Sequence, residues 1–383
     1  MISNNLLNEF NGKKLMEARK IRNYTLEELE EKTGISHQAI SKYEKNKSNP
    51  NIDMIRLLAG ILNFEVSFFY TKDIETIIDD KAFVYRSKAS VAKKYKDQTE
   101  LQIGLIDMVI KAVRKKVNMP VFDLSLTKAV DSEAFAPTSE EEIEKLANKI
   151  RSQFSLTDGP ISNITAMCEK LGVHIVYLNL NHQGIDACSV VLDGTPYVIL
   201  NSEIKSAVRM RFNIAHELGH IILHLKYSKK VHGKRENAKR MEYEANYLAS
   251  CLLLPESGLA KDLSSLGLDY LLILKKHWLV SVQMIIYRAE KLELFTPEYC
   301  LYLRQQTSRK GWRTFEPFDD EIPKETPKML KQAIKYLDEK LGVSISEISF
   351  MTGVKEDEIL QFCSPETLSS RPLKSANKIV RIK

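Results

Sequence analysis

The chain has 383 residues, 44% of them hydrophobic and 28% charged, which excludes a disordered or low-complexity protein and leaves room for two or three domains. A net charge of +6 is too small to mark a nucleic-acid binder by itself. Five scattered cysteines without a C-x-x-C pair exclude a disulfide framework; with no apolar stretch of about 18 residues and the polar start Met1-Ile2-Ser3-Asn4-Asn5, they point to a cytoplasmic protein that spans no membrane.

From Phe10 to Tyr70 the pattern predicts four or five short helices. Thr25 followed by Leu26-Glu27-Glu28 spells a capping box, Gly34 closes that helix, and Ser36 opens the next. Helix, glycine turn, helix is the plan in which a second helix enters the DNA major groove with its N-terminal residues against base edges. Ser36, His37, Gln38 and Ser41 would then face bases, with Gln38 suited to bidentate pairing with adenine, while Lys42, Lys45 and Lys47 hold phosphates. Ile35, Ala39 and Ile40 are expected in the core. A helical module used only for protein pairing is the competing reading, but a polar, uncharged-to-basic helix tip is what base reading requires.

Residues 73–135 contain Phe83-Val84-Tyr85-Arg86 and a long amphipathic run from Val91 to Val117, read as a helical connector packing on the following domain. Asp97, Glu100 and Asp107 interrupt its lysines, so these form a solvated face rather than a second nucleic-acid site. Asp131 to Ser139 is read as a linker. Next come the segments Glu142 to Arg151 and Gly159-Pro160-Ile161, then a helix to Leu171-Gly172. His174 to Leu180, Cys188 to Leu192 and Tyr197 to Leu200 read as short strands, the last two joined through a turn containing Asp193-Gly194. A strand of this kind offers an edge to which a substrate peptide can add.

His216-Glu217-x-x-His220 lies in a proline-free run, with Val208, Phe212, Ala215, Leu218, Ile222 and Leu225 at helical spacing. Residues four apart share a helix face, so both histidines can close on one zinc ion while Glu217 serves as general base to an attacking water. The helix is apolar almost all round, and buried imidazoles and a carboxylate need a metal or a hydrogen-bond network. His224, roughly 12 Å along the axis from His216, is too far to join them and is read as a support to the ligands or as core. After a basic, loop-like stretch from Lys226 to Arg240, a second helix runs from Met241 to Pro255. Ala245 and Ala249 allow it to pack closely, and Glu242 or Glu244 could supply the third ligand. With Glu242, Asn246 one turn later could hydrogen-bond a ligating imidazole.

Ser41 to Pro50, with Ile55-Arg56-Leu57-Leu58-Ala59, resembles the lambda-repressor-like (XRE) helix-turn-helix domain. His216 to His224, with Glu242-x-x-Ala245-x-x-Leu248-Ala249 and Leu253-Leu254-Pro255, resembles the ImmA/IrrE family of zinc metallopeptidases, as do the flanking helices and the segment Gly311 to Pro317. Leu248 and Asn213 depart from the residues more common there, without touching the chemistry. The resemblance implies His216, His220 and Glu242 as zinc ligands and Glu217 as base. It also implies a mainly α (α+β) architecture: a helix-turn-helix bundle (1–72), a connector (73–135), a zincin-like domain with a small sheet beside the active helix (136–295) and a C-terminal region (296–383).

Within that last region Ile345 to Ile359 repeats the apolar positions and the Thr-Gly of Leu26 to Ile40, but Glu356, Asp357 and Glu358 would repel phosphate, so it is read as a protein-contact or packing module. The implied partners are a double-stranded DNA operator, commonly read by a homodimer, and a protein substrate, by family resemblance a helix-turn-helix repressor. The alternative is a non-proteolytic, antitoxin-like regulator that uses the peptidase fold for sensing or partner binding.

Overall fold

The computed structural model describes residues 9–71, 83–84, 93–127, 133–178 and 186–363 and is mainly helical with one small sheet. It divides into two compact units, one of residues 1–75, 92–118 and 328–383, the other of 76–91 and 119–327. Helices are numbered α1 to α17 in chain order.

The first unit opens with α1 (Gly12–Ile21), α2 (Leu26–Thr33), α3 (His37–Glu44) and α4 (Ile52–Leu62), followed by a 3-10 turn at Val66–Tyr70. The capping box at Thr25 and Glu28 is formed, and Gly34, at φ +71°, ends α2. Ile35 and Ile40 are buried as expected; Ala39 is only half-buried, and Tyr43 is buried one turn beyond it. A bidentate pair between Arg19 on α1 and Glu44 at the end of α3 (2.6 and 2.8 Å) fixes the angle of the third helix.

The amphipathic run expected to lean on the following domain forms α5 (Lys93–Arg114) and belongs to this first unit. Its apolar stripe, including Ile106, Val109 and Val113, is buried, and the helix packs on α1, α15 (Met329–Leu341) and α16 (Ile345–Thr352). Gln98 donates to the last carbonyl of α1, Ile21 O, at 3.0 Å, an interaction that periodicity alone does not reveal.

The repeat noted in the C-terminal region extends to hydrogen bonds. Thr33 Oγ1 donates to Leu29 O and accepts from Ile35 N; Thr352 Oγ1 does the same with Ile348 O and Val354 N, and Gly353 has the φ of Gly34. Glu358, on α17 (Glu356–Cys363), binds Arg22 at 2.8 Å, so one acidic residue of this helix is consumed inside the unit. Phe64 bridges to Val354, and Glu65 N donates to Gly353 O.

The second unit contains β1 (Phe83–Val84), α6 (Glu140–Gln153), α7 (Ile164–Lys170), β2 (His174–Leu178), β3 (Ala187–Leu192) and β4 (Thr195–Asn201). The three expected strands form, and the two residues of β1 extend the sheet to the order β1-β3-β4-β2. Asp193 and Gly194 both take positive φ, as a tight hairpin between β3 and β4 requires, while β2 runs parallel to β4. Residues 133–138 are not a free linker: the Tyr227 hydroxyl donates to Ala136 O, and Thr138 N donates to Glu244.

Two long helices carry the site, α8 (Ala207–His224) and α10 (Arg235–Leu253), with α9 (Lys229–His232) between them. The basic stretch expected as loop therefore supplies a short helix and the first turns of α10; Lys, Arg, Glu and Ala are good helix formers whatever their charge pattern. α8 and α10 pack at close range because Gly219 faces Ala245: a Cβ built on Gly219 would lie 3.1 Å from Ala245 Cα. α8 also packs on β3 and β4, and α10 on α6.

Helices α11 (Glu256–Asp262), α12 (Leu268–Trp278), α13 (Val282–Lys291) and α14 (Pro297–Arg309) complete the unit, and Cys300 and Leu303 of α14 join the core formed by α6, the sheet and α8. The border expected at 295/296 thus falls inside a packed unit. The buried Lys275 ammonium, held by Glu316 (2.8 Å) and Asp319 (2.6 Å), ties the segment after α14 onto α12, and Glu325 joins Arg211 of α8 to the first amides of α7.

Candidate metal centre and nucleic-acid interface

On α8, His216, Glu217 and His220 are almost completely buried, as the apolar surroundings of the motif predict. The Nε2 atoms of His216 and His220 approach to 3.0 Å. Glu242 reaches over from α10, one carboxylate oxygen 3.3 Å from His220 Nε2 and the other 3.6 Å from His216 Nε2. One ligand atom from each of these three side chains lies within 4.8 Å of the others, a two-imidazole, one-carboxylate set of the kind that holds a catalytic zinc.

The other ring nitrogens decide whether those Nε2 atoms carry lone pairs. His216 Nδ1 lies 2.8 Å from Asn246 Oδ1, an acceptor, so Nδ1 bears the proton and Nε2 is bare. For His220 the argument runs through two residues. His224 Nε2 lies 3.1 Å from Glu244 Oε2 and donates to it, which leaves His224 Nδ1 as an acceptor for His220 Nδ1–H at 3.0 Å. Burial pushes the His224 imidazole down to about 4, which keeps it neutral at pH 7 with one donor and one acceptor. Two bare Nε2 lone pairs 3.0 Å apart repel unless a cation lies between them, so this donor set fits a metal ion.

The two candidate glutamates therefore part company. Glu242 faces the imidazoles, whereas Glu244 is turned away, accepting from Thr138 N (2.9 Å), Arg240 Nε (2.9 Å) and His224. Burial alone would raise the Glu244 carboxyl; the His224 and Thr138 hydrogen bonds outweigh it and leave the group below its usual value. The pairing of His224 with Glu244 was not foreseen, although their positions on two closely packed helices could have suggested it.

Another residue missed from the sequence is Ser189. Its Oγ–H donates to Glu217 Oε2 at 2.7 Å from β3, which fixes one carboxylate oxygen of the motif glutamate. The neighbouring Cys188 thiol is pushed well up, first by burial and then by the Glu217 charge, so it stays protonated and offers no thiolate. The five cysteines are buried free thiols.

In the first unit, Ser36 caps α3 by accepting from Ala39 N, and Ser36, His37, Gln38, Lys42, Lys45 and Lys47 are exposed while Ser41 is half-buried. His37 is not a free reader: its backbone N–H and its Nδ1 both meet Glu30 Oε2, at 3.0 and 2.6 Å. The remaining side chains leave a polar helix tip followed by three lysines, the arrangement of a base-reading end with phosphate clamps.

Comparison with known proteins finds a family for each of the two segments. Residues 168–290 match the model of the IrrE N-terminal-like domain, a peptidase family, and residues 15–69 match the helix-turn-helix model. The chain thus joins a helix-turn-helix segment to an IrrE N-terminal-like one. Its curated relatives include the HTH-type transcriptional regulator ImmR of Bacillus subtilis (strain 168), 27% identical over 90 residues, which are 24% of this chain and 71% of that protein. No helix among the described residues is long and apolar enough to cross a membrane.

Proposed function

We propose that this chain is a DNA-binding transcriptional regulator whose second unit is a zinc-dependent endopeptidase acting on a partner protein, with a helix-turn-helix repressor as the preferred substrate class. The observation that carries the reading is the convergence of the His216 and His220 Nε2 atoms and the Glu242 carboxylate beside a buried Glu217. His216, His220 and Glu242 hold the ion, and Asn246 and His224 orient the two imidazoles. Zinc bound there polarises a scissile carbonyl and acidifies water. Glu217 accepts the proton of the attacking water on its carboxylate and returns it to the leaving amine nitrogen, while Ser189 keeps that carboxylate oriented. In the first unit Gln38, Ser36 and Ser41 meet base edges, and Lys42, Lys45 and Lys47 neutralise phosphates of a duplex operator read by a homodimer.

A non-proteolytic regulator using the same site as a sensor would share every one of these residues except a working Glu217. Zinc-loaded protein incubated with the products of neighbouring genes, and with itself, separates the two by mass spectrometry. The expected result is a cut made by the wild type and lost in Glu217→Gln while zinc content and DNA retardation are unchanged. Zinc bound, DNA retarded and no cut by either protein would leave the sensor.

A further inference from the structure

One buried polar side chain on α8 neither holds the ion nor moves a proton. Asn213, a departure from the residues more common before this motif, is 3% exposed, and its Nδ2 is buried without a hydrogen-bond partner among the described residues. An unpaired buried amide donor destabilises the fold, so it points to an acceptor that the chain itself does not supply. At about 100° per residue, Asn213 lies on the arc of α8 between His220 and Glu217, and within about 60° of His216. It therefore shares the face that carries the candidate ligands and base. Along the axis it stands about 7.5 Å before the midpoint of His216 and His220, and helical side chains lean further toward the N-terminus. That is too far to ligate with them and is the reach of a neighbouring side-chain site. One turn before Asn213 on the same face, Arg209 lines a cavity of 330 Å³ with Asn201, Ser206, Thr314 and Phe315.

The geometry points to Asn213 as a specificity-determining residue whose carboxamide receives a polar, uncharged side chain, asparagine or glutamine foremost, from the substrate residue that owns the leaving amine. This inference rests on the endopeptidase reading for the fate of the substrate but not for the binding of a ligand. Glu217 returns its proton to the leaving nitrogen, so the side chain of the residue carrying that nitrogen lies nearest the groups on Glu217's side of the centre. Asn213 is one turn from Glu217 on that side. A second carboxamide satisfies it with two reciprocal bonds: Asn213 Nδ2–H donates to the substrate oxygen, and the substrate N–H donates to Asn213 Oδ1. An apolar side chain in the same space leaves Nδ2 unpaired, which is the strongest form of rejection a buried polar group offers. A carboxylate finds no free cation in Arg209, which already donates to Asp186 at 3.0 Å.

The test compares the full-length wild type with Asn213→Leu, which replaces the carboxamide by an apolar group of similar shape. The probes are two succinyl hydroxamates that differ only in the side chain placed on the leaving-amine side of the metal-binding group, carboxamidomethyl in one and isobutyl in the other. Calorimetry on the zinc-loaded proteins gives their dissociation constants. The wild type should bind the carboxamide compound about tenfold tighter than the isobutyl one, and Asn213→Leu should reverse the order by a similar factor, with zinc affinity unchanged. In chelator the melting temperature of Asn213→Leu should equal or exceed that of the wild type, because no bond is lost with the amide. The same order of preference in both proteins, a lower melting temperature of the variant in chelator, or failure of the zinc-loaded wild type to bind either compound overturns the assignment. A reversed preference in a protein that makes no Glu217-dependent cut would uphold the subsite and sink the peptidase reading alone. A Glu217-dependent cut with no difference between the two compounds would do the opposite.

Discussion

Glu242 and Glu244 stand two residues apart on one helix, and the structure assigns them opposite consequences when removed. The Glu242 side chain is 32% exposed and meets the imidazole Nε2 atoms, whereas Glu244 is 1% exposed and accepts from Thr138 N, His224 and Arg240. Glu244→Ala strips a buried charged network of its acceptor, which costs about 3–5 kcal/mol. For a unit of this size that is a fall of about 6–20 °C in melting temperature. Glu242→Ala removes a partly solvated side chain and should leave the metal-free stability within about 0.5 kcal/mol of the wild type. The zinc-dependent rise has the opposite order. At a zinc concentration one hundred times the dissociation constant, binding adds about 2.7 kcal/mol to the folded state. Glu242→Ala should lose most of that rise, while Glu244→Ala should keep it at roughly ten- to a hundredfold higher zinc, because only the orientation of His220 through His224 is impaired. Calorimetric scans of the three proteins, with chelator and then with graded zinc, measure both effects on the same transition. The reasoning is refuted if Glu244→Ala abolishes the zinc-dependent rise while Glu242→Ala retains it.

Further predictions follow from single contacts. Gly34 and Gly353 share a φ of +71°, but nothing lies within 4 Å of a Cβ on Gly34, whereas one on Gly353 would meet Phe68 Cα at 2.4 Å. Gly34→Ala should therefore cost only the left-handed backbone penalty of about 1–2 kcal/mol, and Gly353→Ala distinctly more, in urea melts of the full chain. Gly219→Leu should force α8 and α10 apart, lowering both melting temperature and zinc affinity; an unchanged zinc affinity would show that the close approach is not needed by the site. In retardation assays over a salt series, Lys45→Ala should weaken binding to all sequences and reduce the salt slope by about one. Gln38→Ala should instead relax preference at one base pair by about 1–3 kcal/mol, and equal loss on every operator variant would remove Gln38 from the reading face.

What the sequence made legible is what local chemistry dictates. The Thr25 capping box, the Asp193-Gly194 hairpin and the histidine pair one helical turn apart each need only a few neighbouring residues to declare themselves, and each is formed. The sequence left Glu242 and Glu244 open as third ligand; the Asn246 contact with His216, one turn after Glu242 on the same face, was the local signal for Glu242. What escaped depended on partners distant along the chain. The amphipathic stripe of α5 says that an apolar surface must be covered, but not that α1, α15 and α16 cover it. Glu244 in isolation reads as a solvated helical glutamate; only the arrival of Thr138 from before α6 and His224 from α8 makes it a buried acceptor.

The same distinction explains why the candidate metal site was easier to foresee than the pairing at the edge of the sheet. The candidate ligand set lies on one helix and one turn of another, so spacing alone suggests it. Occupancy of a strand edge is decided by main-chain groups that every residue possesses, and Phe83-Val84 carries no motif.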